Sequence, residues 1–269
     1  MRSLKIVRIR GPERQNREDL ITEEISLSLL AENRRIAVLM CSPGDLEDLV
    51  RGFFYTNGFV QAADQIRRIV INRATWSAFI ELAPEIDPET LRLSGVIGSA
   101  CGATLPTDGD EQTPGEEEPP DDRGDSEGVE AGWQVSSCRI SDLMEEFRKR
   151  SEIHRQTGGV HAAALADPTG VLVFREDIGR HNAVDKVIGA HLVKENSFTD
   201  SILLTSGRLS SEIMQKAWRC RLPIIVSRSA PTDRSVALAW ERNITLIGFA
   251  RGRRMNIYSG EERIVVEER

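Results

Sequence analysis

The last third of the sequence alternates short apolar segments with amphipathic ones, and this rhythm limits the possible fold more than any other feature. The segments "SILLTSG", "LPIIVSRSA" and "ITLIGFA" have the length of buried strands, and "SSEIMQKAWRC" and "DRSVALAWERN" between them have the length of helices. Strands and helices that alternate in this way form right-handed βαβ units on a largely parallel sheet. Ligands collect at the carboxyl ends of such strands. The sequence therefore predicts an α/β domain with a binding site at one edge of its sheet.

Arginine-containing loops follow these predicted strands. One loop consists of Ser206, Gly207 and Arg208, and another consists of Phe249, Ala250, Arg251, Gly252, Arg253 and Arg254. Arginine binds phosphate oxygens through paired hydrogen bonds, and glycine lets the backbone approach a ligand closely. Two alternatives stay open from the residues alone. The arginines would instead discourage aggregation at a strand edge, and Ser206 would only cap the next helix.

The densest polar cluster lies in "REDIGRHNAVDK", at a predicted strand-to-helix turn. Its candidate binding residues are Arg180, His181, Asn182, Asp185 and Lys186. The pattern indicates a polar pocket in which His181 is a proton shuttle or a phosphate donor. It fits equally well a capped helix whose polar face is solvated or ion-paired. His161, which follows two glycines, is more typical of a structural hydrogen-bonding group than of a ligand.

The first hundred residues have a different, mainly β pattern. "MRSLKIVRIRG", "IRRIVIN" and "WSAFIEL" predict strands, and "ISLSLL" with "RIAVLM" predicts a hairpin. "SPGDLEDLVRGFF" predicts a helix with Ser42 as its cap and Pro43 in its first turn. In the second half, the sequence predicts one helix over 140–159 and a hairpin that turns at 167–170. We therefore expect a smaller, mainly β N-terminal domain over 1–106 and a second domain over 132–269.

An acidic segment, 107–131, separates these two domains. It contains 11 acidic residues, one arginine, many prolines and glycines, and almost no large apolar side chain. Such a segment cannot bury enough apolar surface to offset the entropy of ordering, so we expect a disordered linker. The net charge of −7 comes from this segment, and the remaining chain is mildly basic. The charge of the folded part is therefore compatible with an acidic ligand or a phosphate.

The four cysteines, at positions 41, 101, 138 and 220, do not form a C-x-x-C pair. This spacing argues against a zinc ribbon, and "HAA" at 161–163 lacks the acid of a zinc deaminase site. We therefore expect no metal site and no zinc. The sequence has no run of 18 apolar residues and no continuous apolar leader, so we expect a cytoplasmic protein with free thiols. Most free cysteines are small buried hydrophobes.

Several long segments together resemble one family. "TGGVHAAAL", "EDIGRHNAVDKVIG", "SGRLSSEIMQKA", "SRSAPTDRSVALA" and "ITLIGFARGRRMNIY" occur in the order found in FdhD, the formate dehydrogenase accessory sulfurtransferase family. "SPGDLEDLVRGFFYTNGF" is also similar to a segment of that family. The resemblance implies that the C-terminal domain is a three-layer α/β/α domain like that of cytidine deaminases, without zinc. It also implies a homodimer. We expect neither a nucleic acid nor a membrane as a partner.

The resemblance further implies a sulfur carrier. A cysteine desulfurase would load sulfur onto a cysteine as a persulfide. The sulfur would then pass to the molybdenum (or tungsten) bis-pyranopterin guanine dinucleotide cofactor of the formate dehydrogenase catalytic subunit. Family members hold this cofactor near the loop that here runs from Phe249 to Arg254. We expect Arg208 and the 180–186 cluster to complete the site.

Cys101, in "SACGATLP", matches the cysteine that carries the persulfide in the family. Its small neighbours leave a thiolate nucleophile accessible. The family pattern at this loop is C-x-x-C, but Thr104 stands at the second position. Transfer by persulfide needs one sulfur only, so the leading hypothesis is a sulfurtransferase that uses Cys101. The alternative is a non-catalytic chaperone that binds the cofactor and transfers no sulfur.

Overall fold

The computed structural model describes the following residues of the chain: 1–32, 34–86, 91, 103–104, 128–129, 132–194 and 197–267. The chain begins with an antiparallel ribbon of β1 (Arg2–Arg10) and β2 (Glu13–Ile21), whose side chains are largely exposed. The predicted N-terminal strand is confirmed. Its partner β2 is too polar to show a strand pattern in the sequence, because neither of its faces is buried.

A five-stranded mixed sheet follows, with the strand order β5-β6-β3-β4-β7. Its strands are β3 (Ile25–Ala31), β4 (Arg34–Cys41), β5 (Ile66–Asn72), β6 (Ser77–Leu82) and β7 (Ala103–Thr104). The predicted β3–β4 hairpin and the strands β5 and β6 are confirmed. At the edge of the sheet, β7 pairs antiparallel with β4, with Leu39 opposite Ala103 and Val38 opposite Thr104. A short 3-10 helix, Ala63–Gln65, precedes β5.

Helix α1 (Leu46–Thr56) packs against this sheet but begins later than the sequence predicts. Its N-cap residue is Asp45, which has a left-handed backbone and makes no capping hydrogen bond with its side chain. The predicted cap by Ser42 is wrong because the Ser42 hydroxyl accepts the backbone N–H of Ile178, 136 residues away. A contact between distant parts of the chain thus replaces the local cap.

The C-terminal part, from residue 132 onward, contains a six-stranded sheet of order β10-β9-β11-β12-β13-β14. Its strands are β9 (His161–Asp167), β10 (Gly170–Asp177), β11 (Ile202–Thr205), β12 (Ile224–Ser227), β13 (Thr245–Arg251) and β14 (Arg254–Ser259). The predicted hairpin β9–β10 is confirmed. Only β11–β12 and β12–β13 are parallel pairs, so the prediction of a largely parallel sheet holds at the centre alone. The outer strands are antiparallel because tight turns reverse the chain before β10 and β14.

Helices cover both faces of the six-stranded sheet. They are α2 (Ser137–Arg150), α3 (Glu152–Thr157), α4 (Arg180–Leu192), α5 (Ser211–Arg219) and α6 (Asp233–Glu241). Leu203 of β11 lies in one apolar cluster with Val184 and Ile213, from α4 and α5. Leu204, on the opposite face, lies in a second cluster with Ile140 and Phe147 of α2. The predicted α/β class with three layers is confirmed.

The single helix predicted over 140–159 is divided into α2 and α3 at Ser151. The Glu176 carboxylate accepts the backbone N–H groups of Ile153 and His154, at the start of α3. These acceptors satisfy donors that a new helix leaves unpaired in its first turn. The division therefore depends on a strand residue that is distant in the sequence, and the local pattern could not reveal it.

The predicted acidic linker, 107–131, lies outside the described residues except at Gly128 and Val129. Val129 is buried, donates its N–H to the carbonyl of Arg242 and accepts hydrogen bonds from Asn243 and Arg263. The prediction of disorder is therefore wrong for this end of the segment. Among the described residues, the last strand is β15 (Ile264–Val265), which follows a 3-10 helix (Glu261–Arg263) and pairs with β8 (Val135–Ser136).

The N-terminal and C-terminal parts share one apolar core, in which α1 packs along α4. Two glycines allow this close approach. A Cβ atom at Gly52 would overlap the carbonyl of Asp185, and one at Gly189 would overlap the carbonyl of Asp48. Among the described helices, none is long and apolar enough to cross a membrane.

Candidate functional site

Several loops meet at one edge of the six-stranded sheet. The parallel strands β11 and β12 end there side by side, at Thr205 and Ser227. The antiparallel strand β9 begins at the same edge, with His161. We call this region the edge site. It comprises His161, Arg180 and His181 at the start of α4, and the segments 206–210, 228–232 and 249–254.

Backbone hydrogen bonds join these loops to one another. Phe249 donates its N–H to the carbonyl of Ser229 at 3.0 Å, and Arg228 donates its N–H to the carbonyl of Thr205 at 3.2 Å. The Arg251 Nε also donates to the carbonyl of Arg228 at 3.0 Å. The structure therefore brings together the loops after β11, β12 and β13, as the sequence pattern predicted.

The turn after β13 has an unusual backbone. Phe249 has a left-handed conformation, with a φ of 52°, and the ladder between β13 and β14 is irregular there. A bulky residue in this conformation costs energy, and such strain concentrates at binding and catalytic sites. Gly252, with a φ of 58°, reverses the chain. The predicted binding residues Arg251, Gly252, Arg253 and Arg254 are all exposed beyond this bend, and Ala250 is buried beneath it.

The loop after β11 is built by its small residues. The Ser206 hydroxyl accepts the N–H of Ala162 at 2.9 Å and lies 3.3 Å from the Nδ1 of His161. The Gly207 carbonyl accepts a 2.6 Å hydrogen bond from the Ser227 hydroxyl. A Cβ atom at Gly207 would lie only 2.8 Å from the Cβ of Arg180, so the glycine leaves room for that side chain. Arg208, the next residue, is exposed.

Positive groups surround His161. Burial lowers the pKa of His161, and the positive charges of Arg180, His154, His181 and Arg208 lower it further. The arginines Arg180 and Arg208 near this imidazole give the site a positive potential, which favours an anionic ligand. The sequence interpretation gave His161 a structural role and did not identify His154. The only local signal for this site was the pair of glycines before His161.

His181, a predicted binding residue, already has a carboxylate partner. Its Nε2 lies 2.9 Å from Glu212 Oε2 and 3.3 Å from the Ser210 hydroxyl. Both partners belong to the start of α5. Glu212 was not predicted as a site residue, because a helix that begins with serine and an acid is common at any surface.

Three other predicted binding residues, Asn182, Asp185 and Lys186, are buried at the interface with the N-terminal part. Lys186 Nζ lies 2.7 Å from Asp177 Oδ2, and both side chains are 0% exposed. The Asp185 carboxylate accepts hydrogen bonds from Lys216 Nζ at 2.8 and 2.9 Å. Asn182 donates to the carbonyl of Met40 and to Asp177. Their polar atoms have partners inside the protein, so these contacts do not support the predicted assignment of the three residues to the cofactor.

The cysteines of the described residues differ in environment. Cys41 and Cys220 are buried, and Cys138 is exposed. Burial, and next the charge of Asp177, raises the pKa of Cys41 to about 12, so this group stays a thiol rather than a thiolate. Cys101, the predicted sulfur carrier, lies outside the described residues. Among the residues that the structure does describe, no group of three or more His, Cys, Asp or Glu side chains is placed to hold a metal ion.

Comparisons with known proteins agree with one another. Residues 22–265 match the model of the FdhD/NarQ family. The sulfur carrier protein FdhD of Halalkalibacterium halodurans is 35% identical over 98% of this chain and 96% of its own length. The protein of the same name from Bacillus licheniformis is 33% identical, over 97% and 96%. A crystal structure from Desulfotalea psychrophila, described as a formate dehydrogenase accessory protein, has a TM-score of 0.76 and 26% identity, and the similarity covers 98% of each chain.

Proposed function

The chain belongs to the FdhD/NarQ family, and from this premise we propose that it is a sulfur carrier that serves formate dehydrogenase. The observation that carries the proposal is the similarity to proteins named sulfur carrier protein FdhD, which extends over nearly the whole chain. The structural relative is also described as a formate dehydrogenase accessory protein. Neither likeness is restricted to a single motif.

In this proposal Cys101 carries the sulfur as a persulfide. Its thiolate attacks the terminal sulfur of a persulfide on a cysteine desulfurase. A new S–S bond forms at Cys101, and the desulfurase cysteine leaves as a thiolate. Cys41 and Cys220 are poorly suited to this reaction because both are buried and hard to reach. Burial also raises the pKa of Cys41, which keeps it a thiol. Cys138 is exposed and therefore serves as the control.

The edge site is the proposed place for the molybdenum (or tungsten) bis-pyranopterin guanine dinucleotide cofactor, which is the substrate that receives the sulfur. The phosphates of this cofactor need cationic partners. The edge site exposes four arginines: Arg208, Arg251, Arg253 and Arg254. Arg180 and His181 line the same edge. Ser206, Gly207 and the 249–254 turn provide the backbone frame. The proposal places the protein in the cytoplasm as a homodimer, with the desulfurase and the formate dehydrogenase catalytic subunit as partners.

A second candidate function rests on Thr104, which replaces the second cysteine of the family pattern. The backbone of Thr104 pairs with Val38 in the five-stranded sheet. Without a second thiol, a persulfide on Cys101 cannot be resolved as a disulfide within this loop. A chaperone that binds the cofactor and transfers no sulfur would not need Cys101 at all.

The test is a sulfur-loading assay. The full-length protein is incubated with a cysteine desulfurase and cysteine, and its intact mass is then measured without reductant. We expect the mass to rise by one sulfur atom in the wild type and in Cys138→Ser, and not in Cys101→Ser. Absence of added sulfur, or loading that Cys101→Ser retains, would exclude Cys101 as the carrier.

A further inference from the structure

A buried polar network joins the end of β4 to the turn that precedes α4. We call it the Asp177 network; its members are Met40, Ser42, Asp177, Asn182 and Lys186. Ser42 uses all of its polar groups in it: the N–H donates to Asp177 Oδ2 at 3.0 Å, the hydroxyl accepts the N–H of Ile178, and the carbonyl accepts from Lys186. Asn182 adds a 2.8 Å hydrogen bond to the carbonyl of Met40. Hydrogen bonds at Met40 and at Ser42 therefore hold residues 40–42 at both ends.

Each charge in the network has a full set of partners. Asp177 Oδ2 accepts from Lys186 and Ser42, and its Oδ1 accepts from Gly179 at 2.9 Å and from Asn182 at 3.0 Å. Lys186 has further contacts of 3.4 Å with the carbonyls of Ser42 and Glu176. A buried network whose members are all satisfied favours one arrangement strongly, because any shift leaves a charge or a donor unpaired.

Other contacts also hold the two parts of the chain together. The apolar packing of α1 against α4 already joins them, and the glycines Gly52 and Gly189 bring the two backbones close. A second buried group, the Asp185 network of Thr56, Asp185 and Lys216, also bridges α1, α4 and α5. The specific contribution of the Asp177 network is the position of the end of β4.

One end of the network lies beside the strand that follows Cys101 in the sequence, and the other end lies beside the edge site. At one end, β4 pairs with β7, and β7 begins two residues after Cys101 in the sequence. At the other end, Asp177 is the ladder partner of His161, and Asn182 directly follows His181. The network therefore connects the strand next to the carrier cysteine's segment with the start of α4 in the edge site.

We propose that Ser42, Asp177 and Asn182 are positioning residues that fix the end of β4 relative to the edge site and so set the geometry of sulfur transfer. This inference rests on the proposed function, in which Cys101 gives its sulfur to a ligand of the edge site. Transfer between two bound groups depends steeply on their separation, and a displacement of about 1 Å costs about a hundredfold in rate. Loading of sulfur and binding of the ligand, taken separately, do not depend on this separation.

The test uses the full-length double variant Ser42→Ala/Asn182→Ala, which removes two tethers of β4 and leaves the Asp177–Lys186 ion pair intact. The milder single variant Asn182→Ala is measured beside it in case the double variant folds poorly. The matched control is Thr56→Val, which removes a buried hydroxyl from the Asp185 network and leaves 40–42 untouched. Four quantities are measured: stability in urea, sulfur loading by intact mass, affinity for GDP, and formate dehydrogenase activity in cells that lack their own carrier.

The expected result is a loss of formate dehydrogenase activity of about tenfold or more in the double variant, with sulfur loading and GDP affinity unchanged. Thr56→Val should keep full activity at a comparable loss of stability. Equal activity in all variants, or losses that follow stability alone, would overturn the positioning role. A parallel loss of GDP affinity would overturn it as well, because the network would then only build the edge site. Failure of the wild type to load sulfur would instead refute the proposed function itself.

Discussion

Lys186→Met is the perturbation whose effect on stability the structure defines best. Methionine keeps the length of the apolar stem and removes the ammonium group, so it leaves the Asp177 carboxylate buried, with 0% exposure and no cationic partner. Removing one partner of a buried ion pair costs about 3–5 kcal/mol. Asp177 keeps hydrogen bonds from Ser42, Gly179 and Asn182. Because these neutral donors still stabilise the carboxylate, we expect a cost near the lower limit of that range.

The double variant Asp177→Asn/Lys186→Met separates the cost of an uncompensated Asp177 carboxylate from the other costs of replacing Lys186. The new amide oxygen would keep the hydrogen bonds from Gly179 and Asn182, and the amide carries no charge. Its NH₂ group cannot accept from the Ser42 N–H, and a buried donor without an acceptor costs about 1–3 kcal/mol. The double variant should therefore be more stable than Lys186→Met, although it carries one more substitution.

The assay is urea unfolding of the two variants and the wild type, followed by circular dichroism and tryptophan fluorescence. The free energies of unfolding from the two probes should agree, and the slope with urea should not change among the proteins. A double variant no more stable than Lys186→Met would refute the reasoning. The cost would then come from repacking around residue 186 rather than from an uncompensated carboxylate.

Three further predictions concern the helix interface, the edge site and His161. Gly52→Ala should destabilise the protein by about 1–3 kcal/mol, because the new Cβ would overlap the carbonyl of Asp185. The control is Gly44→Ala, whose Cβ would face open space. Its free energy of unfolding in the same urea assay should stay within about 0.5 kcal/mol of the wild type. Arg251→Ala/Arg254→Ala should weaken GDP binding by about tenfold or more, measured by calorimetry. The control Arg14→Ala/Arg17→Ala, in the exposed β1–β2 ribbon, should bind GDP like the wild type. Equal GDP affinity in the two double variants would show that the 249–254 turn does not bind GDP. Because the pKa of His161 is lowered in the folded protein, the unfolded chain takes up this proton first, and stability should fall as the pH drops below about 6.5. His161→Gln should reduce that acid-side loss in urea unfolding at about pH 7.5 and about pH 5.5, and an unchanged pH dependence would contradict the lowered pKa.

Local patterns in the sequence predict most of the strands and helices. The β3–β4 and β9–β10 hairpins, and the alternation from β11 to β13, occur where the apolar periodicity places them. In these segments one or both faces of the strand are buried against helices or other parts of the core, so the apolar periodicity indicates the strand. The exposed strand β2 has no buried face and could not be predicted in this way.

The roles of individual polar residues depend on contacts between distant segments. Ser42 looks like a helix cap in the sequence, yet its partner is Ile178. Lys186 and Asp185 look like surface groups on the first turns of a helix. In the structure Lys186 pairs with the buried Asp177, and Asp185 contacts Thr56 of α1 and Lys216 of α5. The arginine loops of the edge site were predictable because strand ends in an α/β sheet meet at one edge. The buried partners were not, since no rule of local sequence relates residues 42 and 186.

Formate dehydrogenase activity in cells that lack their own carrier tests the central claim most directly. The cells would express the wild type, Cys101→Ser or Cys138→Ser at equal levels of folded protein. A carrier that uses Cys101 predicts full activity with the wild type and with Cys138→Ser, and none with Cys101→Ser. Full activity with Cys101→Ser would contradict the carrier role and would favour a chaperone that binds the cofactor without transferring sulfur.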